Sequence, residues 1–221
     1  LNHGIRITIV DKREEEIKTE SFHSDGGLSE FVSYLNEYKK TLFQPISFEG
    51  VKDDVVVEIA LQYNDKYDEK VFSFVNNINT REGGTHLTGF KTAILMAINN
   101  QLSKNAKMLK KFGNDKLESA DISEGLTGVV SIKIPNPQFE GQTKMKLGNA
   151  NVRFIVQSLV YEKLNNYFDE FPGDIELLLD KAISAALGRI AARKAREQIR
   201  KKSEGGGLPG KLADCSEKDP A

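Results

Sequence analysis

Leu126-Thr-Gly-Val-Val-Ser-Ile-Lys-Ile-Pro-Asn-Pro137 decides how this chain is built. Leu126, Gly128, Val130, Ile132 and Ile134 recur at the two-residue period of a strand. Pro135 and Pro137 stop it, because neither has an N–H with which to extend a central ladder. The same alternation recurs upstream in Ile5, Ile7 and Ile9, then Ile46 and Phe48, then Val55, Val57, Ile59, Leu61 and Tyr63. A further strand, Val71 to Val75, ends in Asn76-Asn77. These segments are expected to be half-buried, mainly antiparallel strands.

Between and after them the spacing turns helical. Leu28, Phe31, Val32 and Leu35 follow Gly26-Gly27, and Phe90, Ile94, Ile98 and Leu102 follow the turn-rich Thr80-Arg-Glu-Gly-Gly-Thr85. A mixed sheet with helices on one face follows, an α+β fold. Two more helices close the chain, one near 152–168 and one starting at Asp174, whose carboxylate suits an N-cap after Pro172-Gly173. Running to about Ser203, the second would be roughly 45 Å long at 1.5 Å per residue.

With 221 residues there is room for one good core and an extension. Lys+Arg 31 against Asp+Glu 32 leaves a formal net charge of -1, so any electrostatic function must come from uneven charge distribution. The single cysteine, Cys215, excludes an internal disulfide. No uncharged apolar run approaches the roughly 18 residues a membrane span needs. An intracellular setting fits, and the start at Leu1, without an initiator Met, leads us to expect a fragment of a longer protein.

The charge is segregated. In the last helix Ile175, Leu179, Ala182, Ala186 and Ile190 form an apolar stripe, and Arg189, Arg193, Arg196 and Arg200 fall within about 40° of its direction. The helix is therefore expected to leave the core partway along, showing an arginine face reinforced by Lys194, Lys201 and Lys202, with Glu197 the acidic exception. Evenly spaced guanidinium groups without stacking aromatics suit phosphate contact rather than base reading.

Beyond Pro137 the loop Phe139-Glu-Gly-Gln-Thr-Lys-Met-Lys-Leu-Gly148 puts an amide and a cation, Gln142 and Lys144, in a Gly-flanked segment that can reach for a phosphate. His86, in a Gly-Gly-Thr-His turn with no second ligand at metal spacing, is expected to be structural. His3 and His23 offer less, and Cys215 lacks a paired base. Asp121 and Glu124 have capping-box-like spacing. Neither glycine pair has the strand-to-helix pattern of a dinucleotide site.

Taken together, Arg81-Glu-Gly-Gly-Thr-His-Leu-Thr-Gly-Phe90, Glu124-Gly-Leu126, Phe139 to Asn149, Ala191-Ala-Arg-Lys-Ala-Arg-Glu197 and Leu208-Pro-Gly-Lys-Leu-Ala-Asp-Cys-Ser-Glu-Lys-Asp-Pro220 resemble the middle of the B subunit of bacterial DNA gyrase. The ATPase subunit of topoisomerase IV shares most of these words, while the ending Lys218-Asp-Pro220 tilts toward gyrase. The resemblance implies a transducer core at 1–173 with a ribosomal-protein-like fold and a left-handed βαβ crossover. It implies a long basic helix at 174–203 and a linker at 204–221 toward a TOPRIM domain. Gln142 and Lys144 would contact the terminal phosphate of ATP held by a neighbouring GHKL-type ATPase domain.

By the same resemblance, ATP and Mg belong to the intact protein, and the fragment alone would bind neither and be inactive. Its partners would be the ATPase and TOPRIM domains of its own chain, the gyrase A subunit, a second B subunit and double-stranded DNA along Arg189, Arg193, Arg196 and Arg200. The implied role is to couple ATP hydrolysis to strand passage and negative supercoiling in the bacterial cytoplasm, on the chromosome. One departure is Ser123, where the family usually has Arg. Two other classes stay open: a stand-alone basic-helix nucleic-acid binder and a complete small enzyme.

Overall fold

The computed structural model describes residues 4–14, 16–113 and 116–204. The expected linker at 204–221, with Cys215 and the motif ending at Pro220, lies outside them except for Glu204, where the last helix ends.

Strands β1 (Arg6–Asp11) and β2 (Lys18–His23) form a separate antiparallel ribbon, with Arg6 opposite His23 and Asp11 opposite Lys18. Here the expectation of half-burial fails: Ile5, Ile7 and Ile9 are 50%, 58% and 56% exposed. Alternation guarantees one apolar face, but burial of that face needs a layer laid on it.

The main sheet contains β3 (Ile46–Lys52), β4 (Val55–Tyr63), β5 (Lys70–Val75), β6 (Ile78–Asn79) and β7 (Leu126–Lys133), in the order β3-β4-β7-β5-β6. Two-residue turns close β3 to β4 and β5 to β6. Asp53 and Asp54, at φ 51 and 59, and Asn76 and Asn77, at φ 48 and 66, occupy the left-handed region that such hairpin turns require. β7 is central, antiparallel to β4 and parallel to β5. The Asn76 side chain extends its ladder, donating to Ile134 O at 2.9 Å and accepting the Ile134 N–H at 2.9 Å.

Parallel neighbours cannot be joined by a tight turn. The chain crosses instead through α2 (Thr85–Lys104), α3 (Ala106–Phe112) and α4 (Ser119–Ser123) before entering β7. α2 and α5 (Ala150–Glu170) form the expected helical layer, burying Phe90, Ile94, Ile98, Val156 and Val160 with Val57, Ile59, Leu61, Val130 and Ile132. The opposite face is covered too. There α1 (Gly27–Leu35) packs Leu28 and Val32 with Ala60, Phe74 and Val129. Its C-terminal Asn36 joins a buried polar group: Asn36 Nδ2 donates to Gln62 Oε1 at 2.8 Å, and Thr127 Oγ1 donates to Asn36 Oδ1 at 2.8 Å. Central strands that are apolar on both faces require both layers.

The final helix, α6 (Pro172–Glu204), begins two residues before the expected N-cap. Pro172 takes the first helical position, where a missing N–H is no loss. Asp174 lies inside the first turn instead, accepting the Tyr167 hydroxyl at 2.6 Å. α6 buries Ile175, Leu178, Leu179, Ala182, Ile183 and Ala186, and from Ala191 to Arg200 every residue is exposed. It therefore leaves the core after Ile190, one residue beyond the first of the four arginines.

Two glycines set how closely these elements approach. A Cβ on Gly89 of α2 would lie 2.4 Å from the Arg153 carbonyl oxygen of α5, whereas one on Gly50 of β3 would meet the Leu159 side chain at 2.5 Å. A backbone obstacle cannot rotate away, but a leucine can. Gly89→Ala should lower the unfolding free energy by about 2 kcal/mol or more and Gly50→Ala by roughly half as much. Urea denaturation of the two variants checks the order.

Candidate functional site

The segment after β7 folds back on itself as a narrow hairpin. Phe139 bridges Leu147, the Glu140 N–H donates to Lys146 O at 2.8 Å, and the Gly148 N–H donates to Gln138 O at 2.7 Å. Lys146 pairs with Glu140 across it at 2.9 Å. At its base Asn149 accepts the Gln138 N–H at 2.7 Å and donates to Asn136 O at 3.1 Å. Gln142, Thr143 and Lys144 form the tip, all exposed. Lys144 has φ 54, a left-handed conformation that costs a non-glycine residue about 1 kcal/mol.

Leu147 is fully buried and pins the hairpin to the segment before α2. The Glu82 N–H donates to Met145 O, the Leu147 N–H to Gly83 O and the Thr85 N–H to Leu147 O, each at 3.1 Å. Between them Gly84, at φ 135, passes so close that a Cβ would lie 2.5 Å from Leu147 N and O. The two segments thus form one strapped unit at a sheet end. An ammonium and an amide at a held, solvent-facing tip can bind an anion at a small ordering cost, because most of the loop is already fixed.

Behind the strap lies a buried polar chain. His86, fully buried in the first turn of α2, places Nε2 3.1 Å from Thr80 Oγ1. Thr80 Oγ1 donates to Ser73 O at 3.0 Å, and Ser73 Oγ donates to Thr80 O at 3.0 Å. Burial lowers the His86 pKa to about 4, so the ring is neutral at neutral pH. The structural role expected of this histidine is the one its surroundings support. Nothing in the sequence, however, pointed to Thr80 or Ser73 as its partners.

On α6 the four arginines separate. Arg189 does not face outward: its Nε and Nη2 meet Asp121 Oδ1 and Oδ2 at 2.8 and 2.9 Å, and its Nη1 meets Glu118 Oε1 at 2.8 Å. The Asp121 side chain is 1% exposed and that of Arg189 28%. The helix phase was right, but at 189 α6 still lies on the core, so its inward direction points at α4. Arg189 is thus engaged with α4, at the core end of the expected arginine set. Arg193, Arg196 and Arg200 follow on the exposed stretch, and Arg193 touches Glu197 at 3.1 Å in a solvated pair of little energetic weight. They line a groove with Glu118, Arg189, Ala192 and Glu197.

The capping-box expectation is shifted by three residues. Asp121 is the second partner of a box begun at Glu118, accepting the Glu118 N–H at 2.8 Å, and Glu124 follows the end of α4. Ser123 is the last residue of α4. Among the described residues no group of three or more His, Cys, Asp or Glu side chains is placed to hold a metal ion, and no helix is long and apolar enough to cross a membrane.

The mixed α+β fold with its long last helix is shared with solved ATPase regions of gyrase B and topoisomerase IV. The chain is similar to the 43K ATPase domain of Thermus thermophilus gyrase B, with 36% identity and a TM-score of 0.73 over 87% of this chain and 51% of that one. It is also similar to the topoisomerase IV ATP-binding domain of Francisella tularensis, with 28% identity and a TM-score of 0.66 over 78% of this chain and 46% of that one. Residues 27–198 match the family model described as DNA gyrase B, and the chain belongs to that family. The DNA gyrase B protein of Treponema denticola is 53% identical over all of this chain and 35% of its own length; that of Clostridium acetobutylicum is 54% identical over 99% and 34%. The chain thus spans about a third of the length of these relatives.

Removing one partner of a buried ion pair leaves the other charge without compensation. Arg189→Ala should therefore cost about 2 kcal/mol of stability, while Arg196→Ala should stay within about 0.5 kcal/mol of the parent. Thermal and urea unfolding of both variants compare them directly.

Proposed function

We propose that this chain is the coupling part of a gyrase B protein, sensing the terminal phosphate of ATP through Gln142 and Lys144 and passing that state to DNA along α6. The observation that carries this is the strapped hairpin: its tip is exposed, while its base is bonded to the segment that starts α2. On this reading ATP and Mg²⁺ are held by a GHKL-type ATPase domain earlier in a longer chain. Lys144 adds a cation and Gln142 an amide donor where the terminal phosphate sits. Both contacts favour the nucleotide triphosphate and are lost after hydrolysis and release, which gives the two states differential stability.

The exposed face of Arg193, Arg196 and Arg200, with Lys194 beside it, supplies sequence-independent attraction for phosphates. Paired with a second B subunit and assembled with the gyrase A subunit, these helices would line the path of the transported double-stranded segment. The TOPRIM domain would follow α6. The domain limits at 1–173, 174–203 and 204–221, an inactive isolated fragment, negative supercoiling and a place on the chromosome in the bacterial cytoplasm belong to the same proposal.

In the full-length protein assembled with its partner, Lys144→Ala should reduce ATP turnover and supercoiling at least tenfold, on the order of the loss of one charged contact to a reacting phosphate. Parent rates in a steady-state ATPase assay would dismiss the sensing role. Replacing Arg193, Arg196 and Arg200 together by Gln should weaken DNA-stimulated ATPase more than basal ATPase, with a shallower salt dependence of DNA binding. An unchanged DNA response would remove α6 from the path. Arg189 is kept in that variant because of its hold on Asp121.

A further inference from the structure

We infer that His86 is a positioning residue for the 138–148 hairpin, acting through Thr80 to hold the Arg81–Thr85 segment in the one shape that straps the hairpin down. This rests on the reading of Lys144 as the nucleotide contact, and it names the device that would place that contact.

The segment has little else to fix it. Arg81 and Glu82 are exposed, and Gly83 and Gly84, at φ 72 and 135, supply conformations other residues resist but restrain nothing themselves. Its three bonds to Met145 and Leu147 hold the hairpin only while the segment keeps its shape. Within it the Gly83 N–H donates to Thr80 O at 2.8 Å and Thr88 Oγ1 to Gly84 O at 3.1 Å; the tie to the sheet comes at its two ends, which belong to one hydrogen-bonded chain, since His86 Nε2 reaches Thr80 Oγ1 and Thr80 is bonded to Ser73 of β5.

The proton on that chain is placed by the ring's two surroundings. Thr80 Oγ1 has one hydroxyl proton and Ser73 O at 3.0 Å and Ser73 Oγ at 2.8 Å to receive it, while Ser73 Oγ also reaches Thr80 O at 3.0 Å. The Thr80 oxygen can then accept from His86, and Nε2 is the ring nitrogen that has a partner for a proton. The other nitrogen, Nδ1, is buried and has no hydrogen-bond partner among the described residues. A bare acceptor is the cheaper group to leave there, because a buried N–H without a partner forfeits a full donor. The neutral ring agrees with this arrangement, since protonation would put a donor and a charge on Nδ1 with nothing to receive them.

β5, the α2 start and the hairpin are therefore joined through one imidazole. Loss of the tie frees two glycines and with them the register of Gly83 and Thr85 against Leu147. The tip would keep its residues and lose its address.

The test uses the full-length protein assembled with its partner, with ATP as the probe. Thr80→Val removes the acceptor at constant shape, His86→Phe removes the ring donor, and His86→Gln restores a donor at about the same reach. Thr80→Val and His86→Phe should each lower kcat for ATP hydrolysis about tenfold, in the direction of Lys144→Ala, with KM changed less than about twofold, and should speed amide exchange at Thr85 and Leu147 about tenfold. His86→Gln should return both readouts to within about threefold of the parent.

If the first two variants unfold more easily but, once folded, keep parent kcat and parent exchange at Leu147, His86 is merely a packed core residue and the inference falls. It falls equally if His86→Gln behaves as His86→Phe does. Should Lys144→Ala leave turnover untouched, the sensing reading fails, and the exchange at Thr85 and Leu147 still decides whether His86 positions the hairpin.

Discussion

The parallel pairing of β5 with β7 is the constraint from which the rest of the structure follows. Parallel neighbours point their C-terminal ends the same way, and Val75 lies opposite Ile132. Whatever leaves β5 and whatever leaves β7 must therefore emerge at the same end of the sheet. The first of these is the turn at Asn76-Asn77 leading to Thr80–Thr85, and the second is the Pro-terminated exit leading to the hairpin of Gln142 and Lys144. Two stretches some sixty residues apart meet because of strand direction, and backbone bonds then strap them together. The crossover forced by the same pairing supplies α2, whose start is the far side of the strap.

The arrangement also ties the surface hairpin to elements far from its tip. A loop tethered only at its ends absorbs displacement; one bonded along its side to a helix N-terminus passes displacement on. α2 packs lengthwise on α5, with Gly89 allowing backbone contact at Arg153, and α4 grips α6 through the pair of Asp121 and Arg189. Rigid packed elements of this kind move as units. The link to α6 is electrostatic and its neighbour is apolar, so the last firmly held turn of α6 lies near Arg189 and the basic stretch projects beyond it.

Much of this was legible in the residues. The alternation in 55–63 and 126–134 located the two long strands, and the four-residue spacing from Phe90 to Leu102 located the main helix, because burial on one face imposes a period directly. The resemblance of the motifs named the gyrase B family before any coordinates. Less legible was α1 on the second face, since Ala60 and Val129 lie between more conspicuous neighbours and look like ordinary strand residues. The exposure of the Ile5, Ile7 and Ile9 ribbon was not legible at all, because a pattern records which face is apolar and not what lies against it.

The sequence by itself determined the periodic elements, the stopping of β7 at Pro135, the polar tip of the hairpin and the phase of the arginines on α6, all of which depend on neighbours a few residues away. Only the tertiary structure decided that Arg189 belongs to Asp121 and Glu118, that His86 reaches Thr80 and Ser73, and that Leu147 locks into Gly83, Gly84 and Thr85. Those choices are made by which partner a polar group finds once water is excluded. Charge and spacing can say that a side chain needs a partner, but the direction of strands and the approach of helices determine which one it meets.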